Sequence, residues 1–412
     1  MKKYVFITFA AAGIGGTQIY VRNKLLFLRE KGYDVTVIVT EPPGGQKVVV
    51  KELEPYVKNS FPELTINPRL YAKRRRNAIL ERIAGIIGAT DDDEVVIETN
   101  FIMVTLWGEL LAERMGAKHF ILLIQEDYSL KDRRFLDFYS RKYDRGELAA
   151  NTPHALKMLF DGYREIPESK NGGLSAFCSN TVEDCISGHE DAILGQEADY
   201  RIGSVGRVNK PFVIPMIKDV IAFAGSHADK RFQLVLFGGT PDPEEEKAIY
   251  ALTEPVPNLE FYMTGPIFPV PLGLLRKMDV FISSAGAAET SASAGLTTIV
   301  IDANDFEPIG VLGYTTNQLV HRDPNLPHES TAALLEKILF DGIYPHDLTK
   351  TVEVNLNRVF EPHIAYFADA AADSNKEYYD ISRTSPRRSA VLLYRIFGQK
   401  AGAALYRLLR GR

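Results

Sequence analysis

The sequence predicts an α/β protein of two Rossmann-like domains, each a parallel sheet with helices on both faces. Three observations lead there. A glycine-rich turn, Ala11-Ala-Gly-Ile-Gly-Gly-Thr17, joins an apolar run to a long helical pattern near the start of the chain. A second strand-to-helix loop, Ile202-Gly-Ser-Val-Gly-Arg-Val-Asn-Lys210, follows roughly two hundred residues later. Around both, strand-like and helix-like segments alternate, as parallel sheets with crossover helices require. At 412 residues, 45% hydrophobic and 25% charged, the chain is long enough for two or three domains, each with its own core.

Tyr4 to Phe9 is a continuous apolar run and reads as the first buried strand. A secretory signal would also begin with Lys2, Lys3 and apolar residues, but here the apolar stretch runs directly into a glycine turn and an amphipathic helix. Gln18 to Glu30 carries Ile19, Leu25, Leu26 and Leu28 at helical spacing, and Gly32-Tyr-Asp leads into a strand over Val35 to Thr40. Further strands are expected at Glu94 to Glu98 and Phe120 to Ile124, with the helical stretch Val104 to Met115 between them. The acidic run Asp91 to Glu94 reads as a solvated turn. After an irregular stretch from Ile166 to Tyr200 the pattern restarts, with strands at Tyr200 to Val205, Gln233 to Phe237, Leu259 to Met263, Val280 to Ser283 and Thr298 to Asp302. The expected division is residues 1–195, residues 196–380 and a basic amphipathic C-terminal helix over 381–412. Open sheets of this kind bind ligands outside the carboxyl ends of their strands, so the expected site is an interdomain cleft across which those ends face each other.

The formal net charge of −5 conceals an asymmetry. Residues 381–412 hold seven arginines and one lysine without an acidic residue, which leaves 40 basic against 53 acidic groups elsewhere. Within that tail Leu393, Phe397, Ala401, Leu405 and Leu408 recur at helical spacing, flanked by Tyr394, Tyr406 and arginines. That composition fits a helix lying in an anionic membrane surface, or equally one docked on the protein body. Lys73-Arg-Arg-Arg76, ahead of the helical stretch Ala78 to Ile87, is a solvated face or a contact for a membrane or an acceptor's phosphate. The acidic body and the lack of an aromatic-basic module argue against nucleic acid. Cys178 and Cys185 are too few for a disulfide framework or a thiolate zinc site, and the eight histidines lack metal-ligand spacing. No metal or other cofactor is expected, and a cytoplasmic location, at most peripheral on the inner membrane face, is the default.

Arg207 and Lys210 carry the clearest chemistry. Two fixed cations at the mouth of a strand-to-helix loop suit a diphosphate, because the helix N-terminus adds unpaired N–H donors and partial positive charge. Gly15-Gly-Thr-Gln-Ile-Tyr20 and the segment Leu25 to Val39, together with Ala150-Asn-Thr152, Gly206-Arg207, Leu234-Val-Leu-Phe-Gly-Gly239, Phe261-Tyr-Met-Thr-Gly265, Met278-Asp-Val-Phe-Ile-Ser-Ser284 and Ala294-Gly-Leu296, occur in order. In this the chain resembles nucleotide-sugar-dependent glycosyltransferases of the GT-B fold, particularly the retaining group 1, or family 4, type of bacterial polysaccharide synthesis. The resemblance spans roughly residues 4 to 302.

That resemblance implies transfer of a hexosyl or N-acetylhexosaminyl group from a nucleoside-diphosphate sugar, UDP-linked or otherwise, to a glycan or lipid-linked acceptor. It implies a donor-diphosphate site of Arg207, Lys210, Gly15, Gly16, Ser284 and Gly286, with Glu289, Thr290 and Gly265 toward nucleoside and sugar. Glu289, Glu126 and Asp127 are the candidate catalytic carboxylates, the latter two at an expected strand end. Glu289 could instead complement its helix dipole, and Gly15 and Gly16 could simply supply a turn with positive φ. The chain departs from the family in having one glutamate, Glu289, where two are usual, and Thr297 where proline is usual. The compact Ser284 to Glu289 segment is closer to inverting enzymes that use N-acetylglucosamine nucleotides, so the anomeric outcome stays open. A nucleotide-sugar epimerase and a non-catalytic nucleotide- or glycan-binding partner of an assembly complex are the alternatives.

Overall fold

The computed structural model describes residues 1–41, 47–124, 133–168, 173–174, 182–240, 242–323, 325–349, 356–373, 377–384, 391–394, 396–397 and 401. The chain forms two compact units, Met1–Ala176 with Asn355–Arg412, and Phe177–Val354.

In the first unit β1 (Lys2–Thr8) leads through the glycine turn into α1 (Gly16–Glu30) and β2 (Asp34–Val39). There follow α2 (Lys73–Ile87), β3 (Glu94–Thr99), α3 (Thr105–Met115), β4 (Lys118–Leu123), α4 (Arg133–Asp144), β5 (Leu148–Ala150) and α5 (Pro153–Leu159). The strands form one parallel sheet in the order β2-β1-β3-β4-β5. Six of the seven β1 residues are buried, which is why this strand reads as an unbroken apolar run rather than an alternating one. Helix α2 starts at Lys73, so the basic run forms its first turn instead of preceding a helix at Ala78.

The second unit opens with β6 (Val182–Glu183) and α6 (Glu190–Leu194), then β7 (Tyr200–Val205), α7 (Val213–Ser226), β8 (Phe232–Phe237), α8 (Pro243–Thr253) and β9 (Leu259–Met263). It continues with β10 (Val270–Pro271), α9 (Leu272–Leu275), β11 (Val280–Ser283), α10 (Ala285–Ser293), β12 (Thr298–Ile301), β13 (Pro308–Val311) and α11 (Thr331–Leu339). Its main sheet runs β13-β12-β11-β7-β8-β9, parallel except for the antiparallel β12–β13 pair. Along β8, Leu234 and Leu236 enter one apolar cluster while Val235 and Phe237 enter another on the opposite face. Such a strand needs helices on both sides.

The division of the chain differs from the expected one at both borders. Residues just before 195 belong to the second unit, because β6 pairs with β10 and Ile193 packs into that unit's core. At the other end the second unit closes at Val354, so residues 355–380, expected in the second domain, belong to the first unit together with 381–412, expected as a separate helix. Helix α12 (Leu356–Asp373) lays buried Phe360 against the rings of Tyr20 and Phe27, at 5.9 and 5.7 Å, and stacks Phe367 on Phe120 at 4.1 Å. The sequence shows an apolar stripe in this helix but not which sheet it covers.

Beneath α1 lies a buried ionic cluster that has no counterpart in the sequence reading. Glu98 on β3 and Lys24 on α1 are both fully buried, with Nζ 2.5 Å from Oε2. The carboxylate also accepts from Tyr4 at 2.5 Å, Tyr20 at 2.8 Å and Asn100 at 2.6 Å. Burial alone would raise the Glu98 pKa, but Lys24 and these hydroxyl and amide donors outweigh it and hold it below the ordinary carboxylate value. Burial pulls Lys24 downward. With Lys24, Tyr4, Tyr20 and Asn100 all donating to the Glu98 carboxylate, the cluster clamps α1, and so the glycine turn before it, onto the sheet.

Candidate functional site

The carboxyl ends of β7, β8, β9 and β11 lie side by side in the second unit, and glycines bring their loops together. A Cβ at Gly238, after β8, would sit 1.7 Å from the Gly206 carbonyl oxygen, after β7. A Cβ at Gly239 would sit 2.8 Å from Gly265 Cα, after β9. These are backbone-on-backbone approaches that no side chain permits. Gly206 itself has φ 130°, in the region that L side chains rarely adopt.

From this base the loop after β7 projects Arg207 and Lys210, both exposed, in a turn closed by the Lys210 amide donating to the Arg207 carbonyl at 3.4 Å. Arg207 forms no salt bridge with a described residue. The Val208 amide ties the loop to Gly239 O at 3.4 Å, and the Lys210 carbonyl accepts from Val213, the first residue of α7, at 3.0 Å. Both cations therefore stand just ahead of a helix N-terminus, as expected.

The neighbouring strand, β11, turns directly into α10. Ser283 fixes the junction: its hydroxyl accepts from the Val205 amide at 3.1 Å, holding the ends of β7 and β11 level. Ser284 is the N-cap residue, buried and extended, but its side chain makes no cap. Ala285 follows with φ 53°, a left-handed conformation costly for alanine, and its amide donates to Leu319 O at 2.7 Å. The first turn of α10 holds no acidic residue and no capping side chain, and Gly286 is exposed there. A Cβ at Gly206 would come within 3.8 Å of the Ala287 Cβ, so the Arg207 loop abuts this turn. Uncapped helix N–H groups next to a loop that carries two cations favour an anion with several oxygens.

Glu289 lies one turn further along α10, half-buried, and Thr290 is buried with its hydroxyl donating to Gly286 O at 2.8 Å. Gly265, φ 71°, has open space where a side chain would stand. The structure thus gathers Arg207, Lys210, Ser284, Gly286, Glu289, Thr290 and Gly265 on the carboxyl edge of one sheet. Ser283, Gly238 and Gly239, which level and space the strand ends, were not singled out as site residues. The Gly238-Gly239 pair at an expected strand end was the signal for two of them.

The remaining candidates belong to the first unit. Gly15 is extended, with φ −176°, and Gly16 is the first residue of α1, so neither supplies the expected positive φ; Gly13, at φ 73°, does. The space a Gly16 side chain would take is open, whereas a Cβ at Gly15 would meet the Gln18 amide oxygen at 3.1 Å. Glu126 and Asp127 lie outside the described residues. Lys73, Arg74 and Arg75 are exposed and Arg76 half-buried on α2. Among the described residues no group of three or more His, Cys, Asp or Glu could hold a metal ion, and no helix is long and apolar enough to cross a membrane.

No protein-family model and no curated protein matches the chain. Solved structures do. A glycosyltransferase from Rickettsia africae superposes with a TM-score of 0.57 at 14% identity, over 90% of this chain and 100% of that one. S. aureus MnaA, in a co-structure with UDP, gives 0.50 at 14% identity over 92% and 100% of the two chains. A candidate UDP-N-acetylglucosamine 2-epimerase from Listeria monocytogenes gives 0.50 at 14% over 92% and 99%. At such identities the likeness shows the fold, which is that of the GT-B proteins with two Rossmann-like domains.

Proposed function

We propose that this chain is a glycosyltransferase that takes a hexosyl or N-acetylhexosaminyl group from a nucleoside-diphosphate sugar and passes it to a glycan or lipid-linked acceptor, at the cytoplasmic face of a membrane and in surface polysaccharide synthesis. One observation carries the reading: the loop that bears Arg207 and Lys210 abuts, at Gly206, the uncapped first turn of α10 on a carboxyl edge brought together by Gly206, Gly238 and Gly239. Support comes from the GT-B fold and from UDP in the S. aureus MnaA co-structure.

Transfer breaks the bond between the anomeric carbon and a β-phosphate oxygen, and the electron pair leaves with the diphosphate. Cations held in place before that charge develops lower the barrier most. In this reading the Arg207 fork meets two phosphate oxygens, Lys210 adds a point charge, and the Gly286 and Ala287 amides complete the cradle, so the diphosphate is neutralised without a divalent metal. Glu289, on the same helix, accepts from a ribose or sugar hydroxyl. Glu126 and Asp127 are the proposed takers of the acceptor hydroxyl's proton. The group 1, family 4 assignment, and with it retention at the anomeric carbon, is the finer part of the proposal.

The test is incubation of the purified chain with a panel of UDP- and GDP-sugars with and without chelator, following sugar release, transfer and C2 inversion by NMR. Transfer that survives chelation supports the reading. Inversion at C2 without transfer would establish the epimerase that the Listeria neighbour brings to mind, and thermal stabilisation by nucleotide with no turnover would establish a binding partner. Replacing Arg207 with Ala should weaken UDP binding about 10- to 150-fold, since charge-assisted hydrogen bonds contribute roughly 1.5–3 kcal/mol. Unchanged affinity in calorimetry removes Arg207 from the site.

A further inference from the structure

Phe9 and Glu41 stand at the carboxyl edge of the first unit's sheet, where β1 and β2 end side by side. Phe9, expected inside the first buried strand, lies just past β1 and is 50% exposed. Its ring meets that of Phe101, which follows β3, at 5.6 Å and an interplanar angle of 63°. Met103, in the same loop as Phe101, is 48% exposed.

The loops after β1 and β2 are tied together. The Phe9 carbonyl accepts from the Thr40 and Glu41 amides at 3.0 and 2.9 Å, and from the Thr40 hydroxyl at 3.1 Å. The Glu41 carboxylate accepts from the Ala12 amide in the glycine turn. Three residues separate Phe9 from Ala12, so their Cα atoms lie within about 11 Å of each other. Glu41 is half-buried and forms no salt bridge with a described residue, and burial pushes its carboxyl above the ordinary value against the pull of the Ala12 amide. A single exposed phenylalanine is ordinary. An exposed ring and a partly buried carboxylate with no described cation against it, on tied loops at the edge where open sheets bind ligands, mark a site.

We propose that Phe9 and Glu41 are specificity-determining residues of a saccharide subsite on the first unit: the ligand lays the C–H face of a pyranose ring on Phe9 and donates hydroxyls of that ring or the next to the Glu41 carboxylate. The two side chains select this ligand. A carboxylate repels phosphate, which excludes a nucleotide or a lipid headgroup at this point, and a prenyl chain would cover the carboxylate without giving it a donor. A quaternary amine needs several ring faces around it, whereas Phe101 is set against the Phe9 ring at 63° and opens no cage. A sugar carries apolar C–H groups on its face and hydroxyl donors at its rim, and uses both. The inference rests on the proposed transfer reaction in calling this ligand the acceptor, whose contacted part it narrows to a sugar ring; saccharide binding itself requires no turnover.

The experiment is saturation-transfer NMR on the full chain, with excess UDP present to keep sugars out of a donor site. The probes are the methyl glycosides of glucose, galactose, mannose and N-acetylglucosamine, with choline and farnesyl phosphate as ligands of other chemistry. At least one glycoside should receive saturation, most strongly at its ring C–H protons. Phe9→Ala should weaken that glycoside about 2- to 12-fold, and Phe9→Trp should restore it. Glu41→Gln still accepts from the Ala12 amide and should weaken the glycoside about 5- to 12-fold, the difference between a charge-assisted and a neutral hydrogen bond. Its melting temperature should be unchanged or slightly raised, since burial disfavours the charge it removes. UDP affinity should stay at the wild-type value in all three variants, whereas Arg207→Ala should lose UDP and keep the glycoside. A chain that binds the glycoside in this way without transferring sugar would sink the transfer reading and leave the subsite standing. The subsite is overturned by a chain that binds none of the glycosides, by binding indifferent to Phe9→Ala or to Glu41→Gln, by saturation of choline or farnesyl phosphate in their place, or by UDP affinity that falls in step with glycoside affinity.

Discussion

Replacing Gly238 with Ala perturbs the candidate site through backbone geometry alone. The residue's φ lies outside the left-handed region, so alanine is conformationally acceptable there, yet its Cβ would stand 1.7 Å from the Gly206 carbonyl oxygen. A carbon and a carbonyl oxygen come no nearer than about 3.3 Å, so the loops after β7 and β8 must separate by about 1.6 Å. No rotamer relieves a contact between two backbones. Overpacking of this kind costs about 1–3 kcal/mol, which is roughly 2–12 °C of melting temperature for a domain of this size. The displaced loop carries Arg207, and an error of about 1 Å in a positioned group can cost a hundredfold in rate. Calorimetric titration with UDP and a thermal melt read the two effects separately. As a control, Gly225→Ala in α7, where nothing stands within 4 Å, should raise stability by about 0.5–1 kcal/mol. A Gly238→Ala chain that melts and binds UDP like the wild type would refute the argument that the strand-end glycines set the spacing of the site. A lowered melt with UDP binding intact would leave the packing argument standing and move the diphosphate elsewhere.

Three further outcomes follow from the first unit. Lys24→Met leaves Glu98 charged and buried and should cost about 3–5 kcal/mol; adding Glu98→Gln should recover part of that, because the amide oxygen can still accept from Tyr4 and Tyr20 without the charge, and a melt of the single and double variants checks it. Gly108→Ala should lower the melting temperature, since its Cβ would meet the His119 ring and the Thr99 methyl at 2.5 Å in a fully packed interior. Acidification should destabilise this unit in two stages. Burial and the neighbouring Lys142 hold His119 below its ordinary 6.5 against the pull of Glu109, so the unfolded chain takes that proton first and stability falls once the pH drops below about 6.5. Burial would raise Glu109, but Lys142 and His119 hold it down at about 2, so its contribution is complete above its ordinary 4.5 and drains away between there and about 2. A melting temperature that stays level from neutral pH through the carboxylate range would contradict both assignments.

Strand placement was legible because buried parallel strands are short unbroken apolar runs. Tyr200–Val205, Leu259–Met263 and Val280–Ser283 fall where expected, and the other expected strands shift by one or two residues at their ends. The Arg207 loop was legible for a related reason, since a strand, a glycine and paired cations before a helix are local features. The buried Glu98 was not. In Glu-Val-Val-Ile-Glu-Thr99 its charge reads as a strand end, and only the arrival of Lys24, Tyr4 and Tyr20 from other elements makes burial tolerable. Helix starts were misread where charge argued against them: a run of four cations disfavours an N-terminus, yet α2 begins on it.

The sequence by itself determined the alternation of strand and helix, the two glycine turns and the cations that follow the second, because periodicity and turn chemistry act over a few residues. Only the tertiary structure decided that residues 356–373 return to the first unit and that Gly238 presses on Gly206. Those facts rest on which apolar face covers which sheet and on contacts between residues tens to hundreds of positions apart, and local pattern carries no record of either.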